Sequence, residues 1–506
     1  MITRVQGKIA CFTLCLLSGC FPTWGVAQLT ITHPISRMVV QRTNTNEASV
    51  QIAGSYGQPL DRVEARVVAR TTGQGSSTTW SLLQANPVQG QFNGTLRVRG
   101  GWYRVDVRGL HNGQVVATDS VDRFGVGEVF AIVGHSNAQG SGCTINGVNE
   151  CPSMPGAADD RVTVVALDQN TPDFQQYLNT ADARYLPGLA FSPLQQFSGM
   201  APFAQMAWFW GHMGDVLVQR INVPVLLYNA GFGGTNMEQT YKAAYDIPFT
   251  HSFVRYDLRM PYANLRNLMH LYVPSTGIRA ILLNHGENDR ENRTDSILAY
   301  HYGVIDKVRQ EFSKPDLAWI IALSSFTGKP FDNVRSAQLQ TINRAGYRTF
   351  RGPDLDSIQS VADRPDGAHY SPVGQARAGE RWANAITNDV LRTSIPYEAQ
   401  QQPLMRIRCA ADNQLQLTLP TGADYDWNTG STGQSLTVGS GTYSARLRTA
   451  QQEIVFPPSV TILNDVGINW RTGLTAPTLP VALPTTCTFQ IQSKVYDCMT
   501  DWLTPD

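Results

Sequence analysis

Ile132-Val133-Gly134-His135-Ser136-Asn137-Ala138-Gln139-Gly140 is an apolar run that breaks on a glycine, presents a serine and turns away on a second glycine. The run begins at Val129, and such an unbroken apolar stretch suits a strand buried on both faces, as in a parallel sheet. A serine on the turn beyond it sits at the carboxyl end of that strand, where open α/β sheets place their sites. Taken alone, a Gly-Ser turn is only a turn. Outward from it, Val223 to Tyr228, Ile278 to Leu283 and Leu317 to Leu323 repeat the continuous apolar pattern. Between them Pro202 to Arg220, Ser296 to Phe312, Val334 to Arg344 and Pro372 to Val390 carry apolar residues at helical spacing. Strands alternating with helices predict an α/β unit with a parallel sheet, right-handed crossovers and helices on both faces, spanning 126–397.

On either side the pattern changes to short alternating runs. Ala48 to Ile52, Val63 to Val67 and Leu96 to Val98 predict a β-sandwich over 28–125. After a Gln-rich joint at Glu398 to Gln402, Leu415 to Leu419 and Ser435 to Val438 return to strand alternation and predict a third, β unit over 403–506. Its Tyr425 to Gly433 stretch, with Gly441-Thr442-Tyr443, resembles the immunoglobulin-type accessory modules of secreted proteins.

The first 27 residues read as an export signal, with Arg4 and Lys8 before the apolar run Ile9 to Leu17 and a small-residue stretch ending at Ala27. The expected location is secreted, periplasmic or at the cell surface. Leu17-Ser18-Gly19-Cys20 also resembles a lipobox, the alternative in which Cys20 is acylated and anchors the chain to a membrane surface. No later run reaches the roughly 20 apolar residues of a transmembrane span. Five of the eight cysteines lie beyond this segment. The expected bridges are Cys143 with Cys151, stapling the loop after the serine, and Cys409 with either Cys487 or Cys498. Acidic and basic residues balance at 40 each with no block of one sign, and charged residues are 16% of the chain. Nothing there suits a polyanion such as nucleic acid; a neutral substrate fits better.

Polar groups gather at the strand ends. The second strand runs into Asn229-Ala230-Gly231-Phe232-Gly233-Gly234-Thr235-Asn236, where glycines let backbone N–H groups approach a ligand closely. Such a loop also suits phosphate, but no Walker pattern accompanies it. The third runs into Asn284-His285-Gly286-Glu287-Asn288-Asp289, and Asp366-Gly367-Ala368-His369 precedes the last helix. An Asp three residues before a His can bond the imidazole, fix its tautomer and stabilise the imidazolium formed when it takes a serine proton. The same pair also suits a helix cap. The Gly-x-Ser-x-Gly elbow is absent.

In this order, Gly134-His135-Ser136-Asn137-Ala138, Gly233-Gly234-Thr235, His285-Gly286-Glu287-Asn288-Asp289 and Asp366-Gly367-Ala368-His369 resemble the motifs of the SGNH hydrolase superfamily. Within it the chain is most similar to the sialate O-acetylesterase and acetylxylan esterase group of carbohydrate esterases. The resemblance implies a flavodoxin-like parallel sheet in a three-layer core and extends to the N-terminal β-sandwich-like unit; the C-terminal β-sandwich-like unit on the other flank lies outside it. It implies that Ser136 attacks an ester carbonyl, that His369 is its base and then acid, and that Asp366 orients His369. It places the oxyanion on the backbone N–H groups of Ser136 and Gly234 and the side-chain amide of Asn288, with no metal or organic cofactor. His135 and His285 stand where relatives carry Gln, and Ala138 where they carry Met. These histidines either add a pH dependence or are structural, and Glu287 is a rival to Asp366 for orienting His369.

The expected activity is removal of O-acetyl groups from carbohydrates, with an acetylated carbohydrate as partner. Two other readings remain. One is a carbohydrate-binding surface protein whose esterase-like unit turns over weakly, and the other is a lipolytic or thioester hydrolase, since one fold hosts several acyl chemistries.

Overall fold

The serine strand governs how the chain is assembled. In the computed structural model, which describes residues 29–410 and 414–462 and the backbone of 468–470, 489–493 and 499–503, it runs unbroken from Gln114 to Gly134. Its first part pairs antiparallel with the strand Gly101–His111, up to the pair Gly101 and Val126. From Glu128 onward it pairs in parallel with Val225–Asn229 on one side, and from Phe130 with Ala280–Asn284 on the other. The expected boundary at 125/126 therefore falls inside a strand, at the change of partners, and not in a linker. The predicted export signal and Cys20 lie outside the described residues.

Glu128 sits at that change and is fully buried. Its Oε1 accepts from Arg42 Nε at 2.7 Å, and its Oε2 accepts from Arg279 Nε at 2.8 Å and Gln41 Nε2 at 2.9 Å. Gln41 Oε1 in turn accepts the N–H of Val129 at 2.8 Å. Burial pushes the carboxyl up, but the charges of Arg279 and Arg42 and the bonds from Arg279 and Gln41 outweigh it and hold it below its usual range.

Six parallel strands lie in the order Val162–Leu167, Val225–Asn229, the serine strand, Ala280–Asn284, Ala318–Leu323 and Thr349–Asp354. Without the first of these, the chain order is 2-1-3-4-5, that of flavodoxin-like sheets. Val162–Leu167 is an addition outside it, with Phe191–Pro193 antiparallel at its edge. Alternate residues face opposite cores, as a period of two requires. Val129, Ala131 and Ile281 pack with Val304 and Val308 of the helix Thr294–Glu311. Phe130, Ile132 and Leu282 pack with Met213 of the helix Trp210–Ile221 and Trp382 of the helix Pro372–Ala385. The molecule is thus mixed α/β, with one large mixed sheet and further β-rich regions.

Two predicted helices are shorter than their spacing suggested. The segment from Pro202 becomes helical only at Trp210, because Ala201 and Phe203 spend their backbone groups on Asn229. The last helix stops at Ala385 and restarts at Asn388, where Thr387 Oγ1 caps Val390 N at 3.2 Å. Val162–Leu167 and Thr349–Asp354 were not among the predicted strands.

In the N-terminal region, Leu29–His33, Glu47–Tyr56 and Gln91–Arg99 form one antiparallel sheet. Their Val50, Ile52 and Phe92 share a core with Val63, Val67 and Val105 of the facing strands. Leu415, Leu417 and Trp427 of the C-terminal β region join that same core. The Gln-rich joint is consequently docked: Gln402 is buried and exchanges two bonds with Gln51, at 2.7 and 2.9 Å. Arg446 ties the C-terminal region to the α/β part by donating to the carbonyls of Arg184 and Leu186, each at 3.0 Å. Cys143 and Cys151 form a disulfide. Cys409 is also disulfide-bonded, while Cys487 and Cys498 lie outside the described residues.

Removing one partner of a buried ion pair leaves the others uncompensated, so Glu128→Ala should cost about 3–5 kcal/mol in urea unfolding at neutral pH. A depressed carboxylate contributes stability that is present above its unfolded pKa of about 4.3 and is lost as pH falls through the lower folded value. The variant's stability should therefore vary less than wild type's below about pH 4. Opening the short Cys143–Cys151 loop with a Cys143→Ser/Cys151→Ser double variant should cost about 2–3 kcal/mol, measured by chemical unfolding. Added reductant should lower wild-type stability by at least that amount and lower the variant's by less, since the bridge of Cys409 is present in both.

Candidate active site

Four segments meet at the carboxyl ends of the central strands. Gly134 ends the serine strand with φ +152°, and a Cβ there would lie 2.0 Å from the carbonyl oxygen of Asn284 on the neighbouring strand. Only glycine lets the chain turn at that point. Ser136 then opens a short helix, Ser136–Gln139, whose side chains fasten the surrounding loops. Asn137 Nδ2 donates to Glu287 Oε1 at 2.9 Å and to the carbonyl of Ala368 at 3.1 Å. Gln139 Oε1 accepts the N–H of Gly233 at 2.7 Å.

The sequence-predicted Ser136, His369 and Asp366 form one hydrogen-bonded line. Ser136 Oγ is 2.9 Å from His369 Nε2, and His369 Nδ1 is 2.6 Å from Asp366 Oδ2. The other oxygen of Asp366 accepts the N–H groups of Ala368 and His369 at 2.9 and 2.7 Å. Partial burial pushes the Asp366 carboxyl up, but the bond from His369, the two backbone N–H groups and the imidazole charge prevail and hold it below its usual range. It therefore stays an acceptor at neutral pH.

Glu287 does not face His369. Its Oε2 lies 2.6 Å from His135 Nε2, its Oε1 takes the Asn137 amide, and Arg364 Nη1 stands 3.7 Å away. Burial pushes this carboxyl up as well, and the charge and hydrogen bond of His135, then Arg364 and Asn137, more than reverse it. His285 is buried behind, its ring edge-on to His135 at 4.9 Å. Its Nδ1 comes within 3.1 Å of Asp289 Oδ2, yet neither ring nitrogen makes a well-aligned hydrogen bond among the described residues. Burial lowers its pKa, against the pull of Asp289.

Of the three expected oxyanion donors, Asn288 has one amide hydrogen engaged, its Nδ2 donating to the carbonyl of Thr235 at 2.9 Å. It thereby fastens the glycine loop to the Glu287 segment. The N–H groups of Ser136 and Gly234 have no hydrogen-bond partner among the described residues. Gly233 lies against the serine, since a Cβ there would be 3.7 Å from Ser136 Cβ. The exposed ring of Phe253 crowds Gly234, where a Cβ would be 2.5 Å from its Cζ.

Sequence reasoning assigned no role to Arg364, which is buried and donates to the carbonyl of Ile358 at 2.9 Å and to the Tyr370 hydroxyl at 2.7 Å. It also bonds the carbonyl of Ala368 and so holds the loop that carries Asp366 and His369. Phe253 likewise has no local sequence signal. Among the described residues, one grouping has metal-ligand spacing, Cys143, Cys151 and Asp366. The two sulfurs are bonded to each other, so it is a disulfide beside the carboxylate.

No curated protein matches the chain. Among solved structures, a carbohydrate acetylesterase from Xanthomonas citri is 15% identical, with 93% of this chain and 96% of that one covered at a TM-score of 0.43. An Arabidopsis thaliana protein is also 15% identical, over 51% of this chain and 96% of that one, at a TM-score of 0.36. The family model described as carbohydrate esterase, sialic acid-specific acetylesterase matches residues 126–388, from the handover point of the serine strand to the start of the last helix of the α/β part. That match spans more than half of the chain, and the protein belongs to this carbohydrate esterase family and is a carboxylic ester hydrolase.

Proposed function

We propose that the protein is an exported serine esterase that removes O-acetyl groups from carbohydrates through an acetyl-serine intermediate, on an SGNH-type three-layer unit spanning 126–397. The observation that carries this reading is the unbroken line from Asp366 through His369 to Ser136 Oγ. His369 Nε2 takes the hydroxyl proton as Ser136 Oγ bonds to the acetyl carbon and the carbonyl electrons move to oxygen. Asp366 supports the imidazolium so formed. The tetrahedral centre collapses, the bond to the sugar oxygen breaks, and His369 returns its proton to that oxygen. Water, deprotonated by His369, then releases acetate and restores Ser136.

The backbone N–H groups of Ser136 and Gly234 are the oxyanion donors in this reading, with the second amide hydrogen of Asn288 as a third. Their lack of hydrogen-bond partners among the described residues supports the assignment. Phe253, stacked on Phe232 with an interplanar angle of 12° and standing over Gly234, offers an apolar wall suited to the carbon face of a sugar ring. Export is supported by the leader-like first 27 residues and by the Cys143–Cys151 bridge, which persists in oxidising compartments. No helix among the described residues is long and apolar enough to cross a membrane.

Ser136→Ala should abolish acetate release from acetylated glycans while leaving the unfolding midpoint within about 1 °C of wild type, a change well under the several degrees that 1 kcal/mol produces. A folded Ser136→Ala protein that still released acetate would overturn the acyl-serine route. Phe253→Ala should raise KM for an acetylated oligosaccharide about tenfold, roughly 1.4 kcal/mol, and leave KM for 4-nitrophenyl acetate nearly unchanged. Equal effects on both esters would remove Phe253 from sugar recognition.

A further inference from the structure

At Gly140 the chain leaves the short helix that Ser136 opens and makes a loop closed between Cys143 and Cys151. Within it Thr144–Ile145 pairs antiparallel with Val148–Asn149. Asn146 and Gly147 form the turn of this hairpin, with φ of +50° and +80°, and positive values at both positions are what a type I′ turn requires. A lone two-stranded hairpin is marginal in water. Here the bridge closes its base, the Glu150 N–H donates to the Cys143 carbonyl at 3.0 Å, and Asn149 Oδ1 accepts the Cys151 N–H at 3.1 Å.

Base and tip lie in opposite surroundings. Cys143 and Cys151 are buried, and their sulfurs lie within 4.8 Å of a carboxylate oxygen of Asp366. Just past the bridge, Gln375 Oε1 accepts the Met154 N–H at 2.9 Å, and its Nε2 donates to the carbonyls of Pro152 at 2.8 Å and Tyr370 at 3.0 Å. Tyr370 follows His369, so the hairpin is held in a fixed relation to the loop that carries the imidazole. Its tip stands in water. Asn146, Gly147 and Val148 are exposed, Val148 at 56%, and a Cβ on Gly147 would meet no atom within 4 Å. Directly opposed residues share a face of a hairpin, so half-buried Ile145 and exposed Val148 present one aliphatic pair.

A braced hairpin with its tip in water contributes little to the core, but a recognition element gains affinity from being ordered before its ligand arrives. Asp366 lies behind His369 as seen from Ser136. The hairpin beside it is therefore set back from the acetyl group, within reach of the chain of sugars that carries that group. The acidic groups at the hairpin are Glu150 and Asp366, which favours a neutral chain over an acidic one.

We propose that the bridged hairpin from Cys143 to Cys151 is a preformed subsite for a neutral glycan, its Ile145–Val148 face covering the carbon face of a sugar unit beyond the acetylated one. This rests on the reading of the protein as a carbohydrate O-acetylesterase with Ser136 as nucleophile.

The test compares kcat and KM for acetylated xylotetraose, acetylated xylose and 4-nitrophenyl acetate, with folding checked by circular dichroism. Wild type should have a lower KM for the tetraose than for xylose. Ile145→Ser/Val148→Ser should raise KM for the tetraose about tenfold, leave its kcat nearly unchanged and leave the two small esters as they were. Cys143→Ser/Cys151→Ser keeps the Ile145–Val148 face but frees its base, and should lower the ratio of kcat/KM for the tetraose to that for 4-nitrophenyl acetate about threefold. A wild type with no preference for the tetraose would overturn the subsite, as would an Ile145→Ser/Val148→Ser protein with unchanged KM for it or with equal effects on all three esters. Val148→Ser alone, at an exposed position, decides if that double variant does not fold. Each of these results leaves the esterase reading standing, which falls only if wild type releases no acetate from any acetylated glycan.

Discussion

One strand joins the antiparallel and parallel parts of the large mixed sheet, and the buried carboxylate of Glu128 marks the place where it changes partners. Before that point Gln114–Gly134 belongs to the N-terminal β region, and after it to the parallel sheet whose end carries Ser136. A charge there is tolerable because Arg42 and Arg279 reach it from separate segments and Gln41 completes the set. Arg279 immediately precedes the strand Ala280–Asn284. The same cluster therefore sets the registers of the two strands that later present the serine and the Glu287 segment. The β region leading into the α/β part is structurally continuous with the parallel sheet, and the C-terminal β region shares the core of that N-terminal β region.

At the far end of the same strands a second carboxylate does a comparable job. Glu287 accepts from residues on both sides of Ser136 in sequence, His135 and Asn137, and stands near Arg364. Asn137 and Arg364 both bond the carbonyl of Ala368, which adjoins His369. Three chain segments that are far apart in sequence are thereby fixed to one buried group. This explains why Glu287 is poorly suited to orient His369: its oxygens are committed to the frame, and the exposed loop supplies its own carboxylate in Asp366.

The parallel strands were legible where burial on both faces wrote a continuous apolar run, as at Val129 to Val133 and Leu317 to Leu323. Thr349–Asp354 was not, because an edge strand with partly exposed Thr349, Phe350 and Arg351, followed by Gly352 and Pro353, carries no such signature. Val162-Thr163-Val164-Val165-Ala166-Leu167 does carry it, and its length and β-branched residues were the available signal. The order of Ser136, Gly234, Asp366 and His369 along the chain was readable because the first two lie in short motifs at strand ends and the last two in one short motif before a helix. Their spacing in three dimensions depends on Gln139 and Asn137, whose partners lie on other segments, and on Arg364, which braces its own loop and stands near Glu287; none of these contacts leaves a periodic trace. The helical spacing from Pro202 misled because Ala201 and Phe203 were taken up by pairing with Asn229, a tertiary contact that local propensity does not report.

The two histidines that meet Ser136 differ most in their access to water. His369 and Asp366 keep a quarter of their side-chain surface exposed, so water reaches them and screens their charges, which suits the proton-carrying role proposed for His369. His135 and Glu287 are sealed, where polar interactions are screened less by water. The open pair is His–Asp, joined through Nδ1, and the sealed pair is His–Glu, joined through Nε2, so ring nitrogen, partner and burial together set the two apart. Behind the sealed pair, burial lowers the pKa of His285 against the pull of Asp289, which favours its neutral ring.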